Sequence, residues 1–252
     1  MAGSVTLESP HNPRLAAARR LRRHPGDLLL AEGPQVVAEA LRTGAAETVF
    51  VTEPALAEHA ALLEGAPVQI VSERAMASLV ETRAPQGVLA VARRPAIGLD
   101  AVVAGRPARV LVLTDVRDPG NVGTALRAAE GAGFDAAIVC AGSCDPANAK
   151  AVRASAGAVF HLRHADHVRA VDALEALAGW HRVGAVAGAA PLGDLAGRPL
   201  LAIVVGNEAS GFGSEVAACL DAVTGIPMRG RLASLNAGVA AALLCYQTEP
   251  AP

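Results

Sequence analysis

Apolar and polar positions along residues 13–92 form blocks whose lengths predict helices and strands in alternation. Helices are predicted over 13–23, 34–43, 54–63 and 73–81, and short apolar runs predict strands at 28–30, 48–51, 68–71 and 88–91. The stretch 93–106 holds Pro95 and two glycines, which predicts a linker. The front of the chain is therefore predicted to be a small α/β domain.

The same alternation restarts after the linker. Strands are predicted at 110–113, 136–140, 183–186 and 201–205, and helices over 121–131, 146–155 and about 235–247. The strand runs are apolar throughout, as expected of parallel strands covered on both faces. We therefore expect an α/β chain with a first domain at 1–95, a linker at 96–105 and a parallel-sheet domain at 106–252. The last helix is apolar or small nearly all round, so it should be buried, with a partner subunit as one candidate cover.

Composition supports a buried core without metals or disulfides. The chain has 252 residues, of which 52% are apolar and 18% charged. The four cysteines form no C-x-x-C pair, which favours a reducing cytoplasm. The N-terminus has no basic stretch before an apolar core, and no apolar run reaches about 18 residues, so neither secretion nor membrane spanning is expected.

The charge distribution limits how the chain could bind nucleic acid. The formal net charge of −2 argues against binding through bulk electrostatics. Five arginines nevertheless fall within the first 24 residues, against the single acid Glu8: Arg14, Arg19, Arg20, Arg22 and Arg23. Lys150 is the only lysine, and this preference for arginine suits bidentate phosphate contacts, although a GC-rich genome would produce the same bias. Any RNA contact must therefore be confined to patches.

Three segments carry side chains that core packing does not require. The first, residues 118–127, follows a strand and opens a helix with one apolar stripe, so Arg127 should point away from the core. Asn121 lies at the predicted helix start, where side chains cap and free N–H groups meet anions. The plainer interpretation is a capped helix with a solvated arginine.

The second and third segments follow predicted strands near the C-terminus. In residues 205–213, Gly206 lets the backbone approach a ligand, and Glu208 lies at the carboxyl end of a parallel strand, where α/β folds place ligand-facing groups. In residues 226–236, Ser234 is well placed to cap the last helix. Asn236 falls inside that apolar helix and would need buried hydrogen-bond partners, which makes it the better functional candidate. A simple strand-to-helix turn would also explain the second segment.

Taken in order, N-V-G-x-x-x-R, G-N-E-x-x-G and I-P-M followed by S-L-N resemble the three motifs of the SpoU (TrmH) family of the SPOUT superfamily. The resemblance covers about residues 106–248. The front portion, where Ala31-Glu32-Gly33-Pro34 opens a helix, is similar to the family's ribosomal-protein-like RNA-binding domain, which assigns RNA substrate binding to residues 1–95. Relative to the family, Ala128 stands where threonine is common, and Ala237-Gly238 stand where larger residues are frequent.

The resemblance implies a trefoil-knotted catalytic domain that binds S-adenosylmethionine and methylates a ribose 2′-hydroxyl of RNA without a metal. The donor would lie near Gly206, Ile226, Met228, Ser234 and Leu235, with Ala187-Gly188 closing the pocket. The family's catalytic arginine matches Arg127, surrounded by Asn121, Glu208, Ser234 and Asn236. A homodimer is expected, and in some members the partner chain helps to complete the site. The RNA is expected to be large-subunit rRNA. Three alternatives are a tRNA substrate, a role in self-protection against an antibiotic, and a catalytically silent RNA-binding scaffold.

Two other classes of site fit the sequence less well. Gly131-Ala132-Gly133 resembles part of a dinucleotide fingerprint, but it closes a predicted helix instead of opening one. His161, His164 and His167 are spaced i, i+3, i+6, which does not gather three imidazoles on one helical face. We therefore expect neither a dinucleotide nor a metal.

Overall fold

The computed structural model describes residues 6–82, 84–193 and 195–248. The elements are α1 (Pro13–Leu21), β1 (Leu28–Glu32), α2 (Pro34–Arg42), β2 (Ala46–Val51), α3 (Glu53–Glu58), β3 (Val68–Ile70), α4 (Glu73–Ala77), β4 (Val88–Arg93), α5 (Leu99–Ala104), β5 (Arg109–Leu113), α6 (Pro119–Gly131), β6 (Ala136–Cys140), α7 (Ala149–Ala154), a 3-10 turn (Ala158–Phe160), β7 (Arg163–Val168), α8 (Ala170–Ala176), β8 (His181–Ala185), β9 (Leu201–Val205), α9 (Ser214–Ala218), β10 (Ala222–Thr224) and α10 (Ala237–Gln247). None of the described helices has the length and apolar character needed to cross a bilayer.

The chain forms two compact units. Unit 1 comprises Met1–Pro95 and Ala147–Phe160, and unit 2 comprises Ala96–Pro146 and His161–Pro252. The insertion of Ala147–Phe160 into unit 1 differs from the predicted division, which placed that segment in the second domain. The difference arises because its apolar side chains join the core of unit 1.

Unit 1 is a four-stranded sheet in the order β1-β4-β2-β3, with helices packed on it. Strand β4 is antiparallel to β1 and β2, whereas β2 and β3 are parallel. The predicted strands are confirmed. Helices α3 and α4 end earlier than predicted, at Glu58 and Ala77, yet Leu63 and Leu79 are still buried because turns can also direct apolar side chains inward.

A partly buried ion pair lies in unit 1. The Arg153 guanidinium donates to the Glu32 carboxylate at 2.8 Å, and the Thr82 hydroxyl donates to the same carboxylate. The Glu32 side chain is only 10% exposed, so these donors compensate for its desolvation.

Unit 2 is a six-stranded parallel sheet in the order β10-β8-β9-β5-β6-β7. Strands β5, β6 and β9 occupy the middle, and their apolar residues are buried on both faces, as predicted from the uninterrupted apolar runs. The apolar stripe predicted for α6 is confirmed, since its apolar residues are buried: Val122, Ala125, Leu126 and Ala129.

Helix α10 packs along α6. A Cβ on Gly238 would lie 3.1 Å from Thr124 and 3.2 Å from the Asn121 backbone, so the two helices approach closely at this glycine. The prediction that α10 is buried is correct for one face only. Val239, Leu243 and Tyr246 are 41–56% exposed on the described surface and follow one another at i, i+4 and i+7.

Parts of unit 2 were not predicted. The expected linker contains α5, whose Val102 is fully buried. The helical spacing considered for the three histidines does not apply, because His164 and His167 lie on strand β7 and His161 precedes it. His164 is buried within the strand and His167 is exposed. Within the described residues, no group of three or more His, Cys, Asp or Glu side chains is arranged to hold a metal ion.

Two backbone segments meet beside the sheet edge formed by β10. The Val186 amide donates to the Thr224 carbonyl at 2.9 Å, and the Gly225 amide donates to the Ala190 carbonyl at 3.2 Å. A Cβ on Gly225 would lie 2.0 Å from the Ala189 carbonyl oxygen. Glycine is therefore required where the chain leaves β10 and passes the loop that follows β8.

Candidate active site

The loops that follow β8, β9 and β10 enclose a cavity at the carboxyl edge of the parallel sheet. Its volume is about 500 Å³, within the range of small-molecule sites. The cavity is lined by 185–187, 205–212, Ala217, Leu220, Val223, Thr224, Ile226, Met228, 233–235, Ala237, Ala240 and Leu244. Parallel sheets bind ligands at this edge because the strand ends and the following loops converge there.

The structure brings together all the residues predicted to hold the methyl donor. The cavity wall contains Gly206, Ile226, Met228, Ser234 and Leu235. These residues come from two loops that are about 20 positions apart in the sequence, and the motif resemblance alone linked them. Of the pair predicted to close the pocket, Ala187 lines the cavity, whereas Gly188 does not.

Gly206 must be a glycine for steric reasons. A Cβ at this position would lie 2.7 Å from the Gly211 carbonyl oxygen and 2.9 Å from the Phe212 ring. Real Cβ atoms do not approach backbone oxygen so closely, so a side chain here would displace the wall of the cavity. Phe212 was not predicted as a site residue because an aromatic residue after a glycine-rich turn gives no specific signal.

Asn207 shapes the loop after β9 and was also missed as an individual residue. Its Oδ1 accepts hydrogen bonds from the Ala209 amide at 2.9 Å and the Ser210 amide at 3.1 Å, and its Nδ2 donates to the Asp115 carbonyl at 3.1 Å. The first two bonds form an Asx turn, which an Asn ahead of a glycine-containing loop could have indicated. Asn207 therefore joins the loops after β5 and β9.

Asp115, at the other end of that contact, adopts an uncommon backbone conformation. Its φ is 56°, in the left-handed region that aspartate tolerates better than most residues. Its carboxylate accepts two hydrogen bonds from the Arg117 guanidinium, at 2.9 and 3.0 Å. These hydrogen bonds and the charge of Asp115 raise the pKa of Arg117.

A polar network of Asn121, Glu208 and Asn236 borders the cavity. The Glu208 carboxylate accepts hydrogen bonds from the Asn121 side-chain amide and, at 3.3 Å, from the Ala237 backbone amide. The Asn236 Nδ2 donates to the Asn121 Oδ1 at 2.7 Å. Each amide can orient in only one way in this network, because Glu208 accepts and cannot donate while ionised. Three motifs that are distant in the sequence thus meet through side chains.

Two expected helix caps are replaced by other residues. Asn121 does not cap α6; Asp118 does, accepting from the Asn121 amide at 3.0 Å. Ser234 does not cap α10; Asn236 does, accepting from the Val239 amide at 3.2 Å. Asn236 is therefore exposed at the helix start instead of buried inside the helix, and its Nδ2 is free to join the network.

Arg127 lies apart from this network and from the cavity wall. At about 100° per residue, its side chain leaves α6 about 120° away from that of Asn121. Arg127 is exposed, as predicted, and within the described part of the chain its side chain makes no hydrogen bond or ion pair. It is positioned along α6 between Thr124, which meets Gly238, and Gly131, which approaches the Tyr246 hydroxyl. The structure therefore places Arg127 on the flank next to α10.

The cavity wall has the chemistry that a nucleoside-containing ligand requires. Ile226, Met228, Leu235 and Phe212 provide apolar surface for a base. Among the described residues, the backbone groups of 226–235 make no hydrogen bond to other protein groups, so they are available to a ligand. The residues present thus fit S-adenosylmethionine.

Two family models match separate parts of the chain. The family model "SpoU rRNA Methylase family" matches residues 108–246, which is more than half of the sequence. The family model "MRM3-like substrate binding domain" matches residues 14–90.

Individual proteins are similar over nearly the whole chain. The 23S rRNA (guanosine(2553)-2′-O)-methyltransferase RlmP of Bacillus subtilis is 30% identical over 95% of this chain and 97% of its own length. The AdoMet-bound rRNA methyltransferase from Sinorhizobium meliloti has a TM-score of 0.82, 26% identity and 97% coverage of both chains. The SpoU methyltransferase AviRb from Streptomyces viridochromogenes, in complex with AdoMet, has a TM-score of 0.78, 25% identity and coverage of 94% and 97%. The chain therefore belongs to the SpoU rRNA methylase family, and its enzyme class is RNA methyltransferase.

Proposed function

We propose that this protein transfers the methyl group of S-adenosylmethionine to a ribose 2′-hydroxyl of large-subunit ribosomal RNA. The observation that carries the proposal is the meeting of the three motifs: two of them form one cavity, and all three supply the polar network at its border. The similarity to RlmP, a 23S rRNA 2′-O-methyltransferase by name, supports ribosomal RNA as the substrate class.

Gly206, Ile226, Met228, Ser234 and Leu235 would hold the donor, mainly through backbone groups and apolar contacts. When bound, the donor supplies an electrophilic methyl group on a sulfonium sulfur. The loops exclude water from this group and fix the direction from which a ribose oxygen can attack, so positioning supplies much of the rate. No proton needs to be taken up by the cavity wall itself.

The network residues have a positioning role in this proposal. Glu208 and Asn236 hold the loop after β9 against the start of α10, and Asn121 locks both to α6. Arg127 grips an RNA phosphate and stabilises the negative charge that develops on the ribose oxygen. An arginine with a pKa above about 12 is a poor base, so water or a phosphate oxygen takes the proton.

The proposed enzyme is a homodimer that uses the exposed stripe of α10. Val239, Leu243 and Tyr246 form an apolar surface on a helix whose other face is already packed. A second copy of this chain is the occupant we propose, because the stripe lies beside Arg127, which is off its own cavity wall. A second copy packed on the stripe would bring Arg127 next to the active site of the partner subunit. Arg127 would then complete that site.

Unit 1 is proposed to bind the RNA substrate, which its match to a substrate-binding family model supports. The four arginines around the C-terminal end of α1 divide into two groups. Arg19 and Arg22 donate to backbone carbonyls of the chain, at 2.7 and 3.2 Å, whereas Arg20 and Arg23 are exposed and have no side-chain partner within the described residues. Arg20 and Arg23 are three positions apart, so they lie on one side of the helix end, ready for phosphates.

Two further expectations remain proposals. The backbone contact between Gly225 and Ala189–Ala190 is consistent with a chain that threads the loop after β8, and we propose that this passage closes the trefoil knot expected from the motifs. Because the proposed substrate is ribosomal RNA, we propose that the enzyme acts in the cytoplasm.

The substrate class can be tested with methyl-labelled S-adenosylmethionine and two RNA pools, unmodified large-subunit rRNA and unmodified tRNA. We expect label in the rRNA pool and none above background in tRNA, with the label abolished by Arg127→Ala. Label in tRNA alone would reassign the substrate. Donor binding by calorimetry without label in either pool would favour a catalytically silent RNA-binding scaffold.

A further inference from the structure

The loop between β10 and α10 contains two arginines that neither the core nor the active-site network uses. Arg229 and Arg231 are exposed, and within the described residues neither side chain makes a hydrogen bond or an ion pair. The residues on either side of them, Met228 and Ala233, line the cavity. Both arginines therefore lie on an exposed stretch of this loop between two residues of the cavity wall, a stretch we call the mouth of the cavity.

Two acidic residues of this region, Glu208 and Asp115, already have other partners and do not pair with Arg229 or Arg231. Glu208, the acid that lines the cavity, is already the acceptor for Asn121 and the Ala237 amide. Asp115, at the end of β5, is paired with Arg117. Arg229 and Arg231 thus place two exposed positive charges on this loop, on a chain whose net charge is −2.

We infer that Arg229 and Arg231 bind the RNA phosphates that flank the target nucleotide and thereby hold its ribose at the cavity. Guanidinium groups bind phosphate oxygens in a bidentate manner, and a loop that also lines the donor cavity fixes their distance from the transferred methyl group. The inference rests on the proposed function, because it assumes that RNA approaches this mouth. It assigns to Arg229 and Arg231 a role in substrate binding, not in the methyl transfer itself.

The same positive groups could instead bind a carboxylate of the donor, since carboxylate and phosphate share the recognition chemistry. The two sources differ in what the arginines would control. Phosphate binding makes the RNA affinity depend on them and leaves the donor affinity unchanged, whereas carboxylate binding does the reverse.

The test compares the double variant Arg229→Ala/Arg231→Ala with Arg198→Ala. Arg198 is a matched control because it is also exposed and has no side-chain partner within the described residues, but it lies before β9, at the opposite edge of the sheet. Four quantities are measured for each protein: the Kd for rRNA by filter binding over a salt series, the Kd for S-adenosylmethionine by calorimetry, and kcat and KM for methyl transfer. The oligomeric state of each protein is checked by light scattering.

For the double variant we expect an RNA Kd and KM about 10-fold higher, with kcat and donor Kd within about two-fold of wild type. The slope of log Kd against log salt should fall by about 1.4, which is two phosphate contacts at about 0.7 each on single-stranded RNA. Arg229→Lys/Arg231→Lys should recover part of the affinity because the charge is kept and the bidentate geometry is lost. Arg198→Ala should behave as wild type.

An RNA Kd unchanged in the double variant would overturn the inference, as would a loss of donor affinity or a loss of the dimer in the double variant. Failure of the proposed function gives a different result from failure of this inference, because the wild-type protein would then transfer no methyl group to any RNA. Filter binding still tests the arginines in that case.

Discussion

Asn121 shows how one side chain connects three loops. Its Nδ2 donates to Glu208 and its Oδ1 accepts from Asn236, so it needs both a donor and an acceptor on the same group. Its exposed fraction is 9%, which makes water a poor substitute for either partner. An asparagine is thus the residue type that the network requires.

The variant Asn121→Asp tests this requirement. An aspartate would retain the bond from Asn236 but would place a second carboxylate against Glu208, and we expect a loss of about 1–3 kcal/mol in the free energy of unfolding at pH 8. Because the repulsion raises the pKa of the carboxylate pair, a proton can be shared as the pH falls, and the loss should shrink toward pH 5. Urea unfolding at both pH values measures the effect, and Asn121→Ala, which should show no such pH dependence, is the control. An equal loss at both pH values would contradict the network.

The variant Gly206→Ala tests the close approach at the cavity wall. The added Cβ would collide with the Gly211 carbonyl and the Phe212 ring, so we expect the affinity for S-adenosylmethionine to fall at least about 10-fold. Gly213→Ala is the matched control, because a Cβ there meets nothing within 4 Å. Calorimetry provides both affinities. Equal donor binding by the two variants would show that the wall at Gly206 does not contact the donor.

At the scale of elements, the pair Arg182 and Asp221 ties strand β8 to the start of β10. The Asp221 carboxylate accepts hydrogen bonds from the Arg182 guanidinium at 2.8 and 3.0 Å and from its backbone amide at 2.8 Å. These bonds lower the pKa of Asp221 to about 2 and raise that of Arg182. The pair secures the edge of the sheet from which the chain continues into the cavity loop.

Because the folded-state pKa of Asp221 lies below its ordinary value, the ion pair stabilises the fold above about pH 4, and the stabilisation is lost as the pH falls toward 2. Asp221→Asn should therefore cost up to about 1 kcal/mol at pH 7, and the difference from wild type should decline between pH 4 and pH 2. Denaturant midpoints across this range measure it. Asp172→Asn, which removes an exposed pair with Arg169, should have no measurable effect at either end. A constant difference at all pH values would show that the Asp221 effect is not electrostatic.

An element can be predicted from the sequence when its burial leaves a clear apolar pattern. Strands β5, β6 and β9 are apolar throughout because both their faces are covered, and they were predicted within one residue at each end. Strand β7 was missed because its residues are mainly polar and include His164 and His167. Helix α5 was missed because it is one and a half turns long and lies between prolines, although Val102 packs in the core.

In the candidate site, the sequence likewise predicted some features and not others: the residues of the cavity wall were predicted, and the bonds of the polar network were not. The resemblance to the family motifs predicted Gly206 and Met228 at the donor site, and both line the cavity. The bonds among Asn121, Glu208 and Asn236 could not be predicted, because they depend on where α6 and α10 begin. A shift of the α10 start by two residues changed Asn236 from an expected buried amide into a helix cap.

At the scale of the whole molecule, the exposed stripe of α10 leads to a prediction about assembly. We expect a dimer by size-exclusion chromatography with light scattering, and we expect Leu243→Glu to convert it to a monomer by placing a charge in the interface. Leu232→Glu, at a leucine that is 73% exposed and not on α10, should remain dimeric. A wild-type monomer, or a dimer that survives Leu243→Glu, would remove the basis for placing Arg127 in the partner's active site.

The proposed reaction attaches the methyl group to a ribose 2′-oxygen. The most direct measurement is to methylate unmodified large-subunit rRNA with labelled S-adenosylmethionine, digest the RNA to nucleosides and identify the labelled product by mass spectrometry. We predict a single 2′-O-methylnucleoside, which also resists alkaline cleavage at its 3′ side because the attacking hydroxyl is blocked. Label recovered on a base, in RNA that remains alkali-sensitive at the modified position, would contradict the claim.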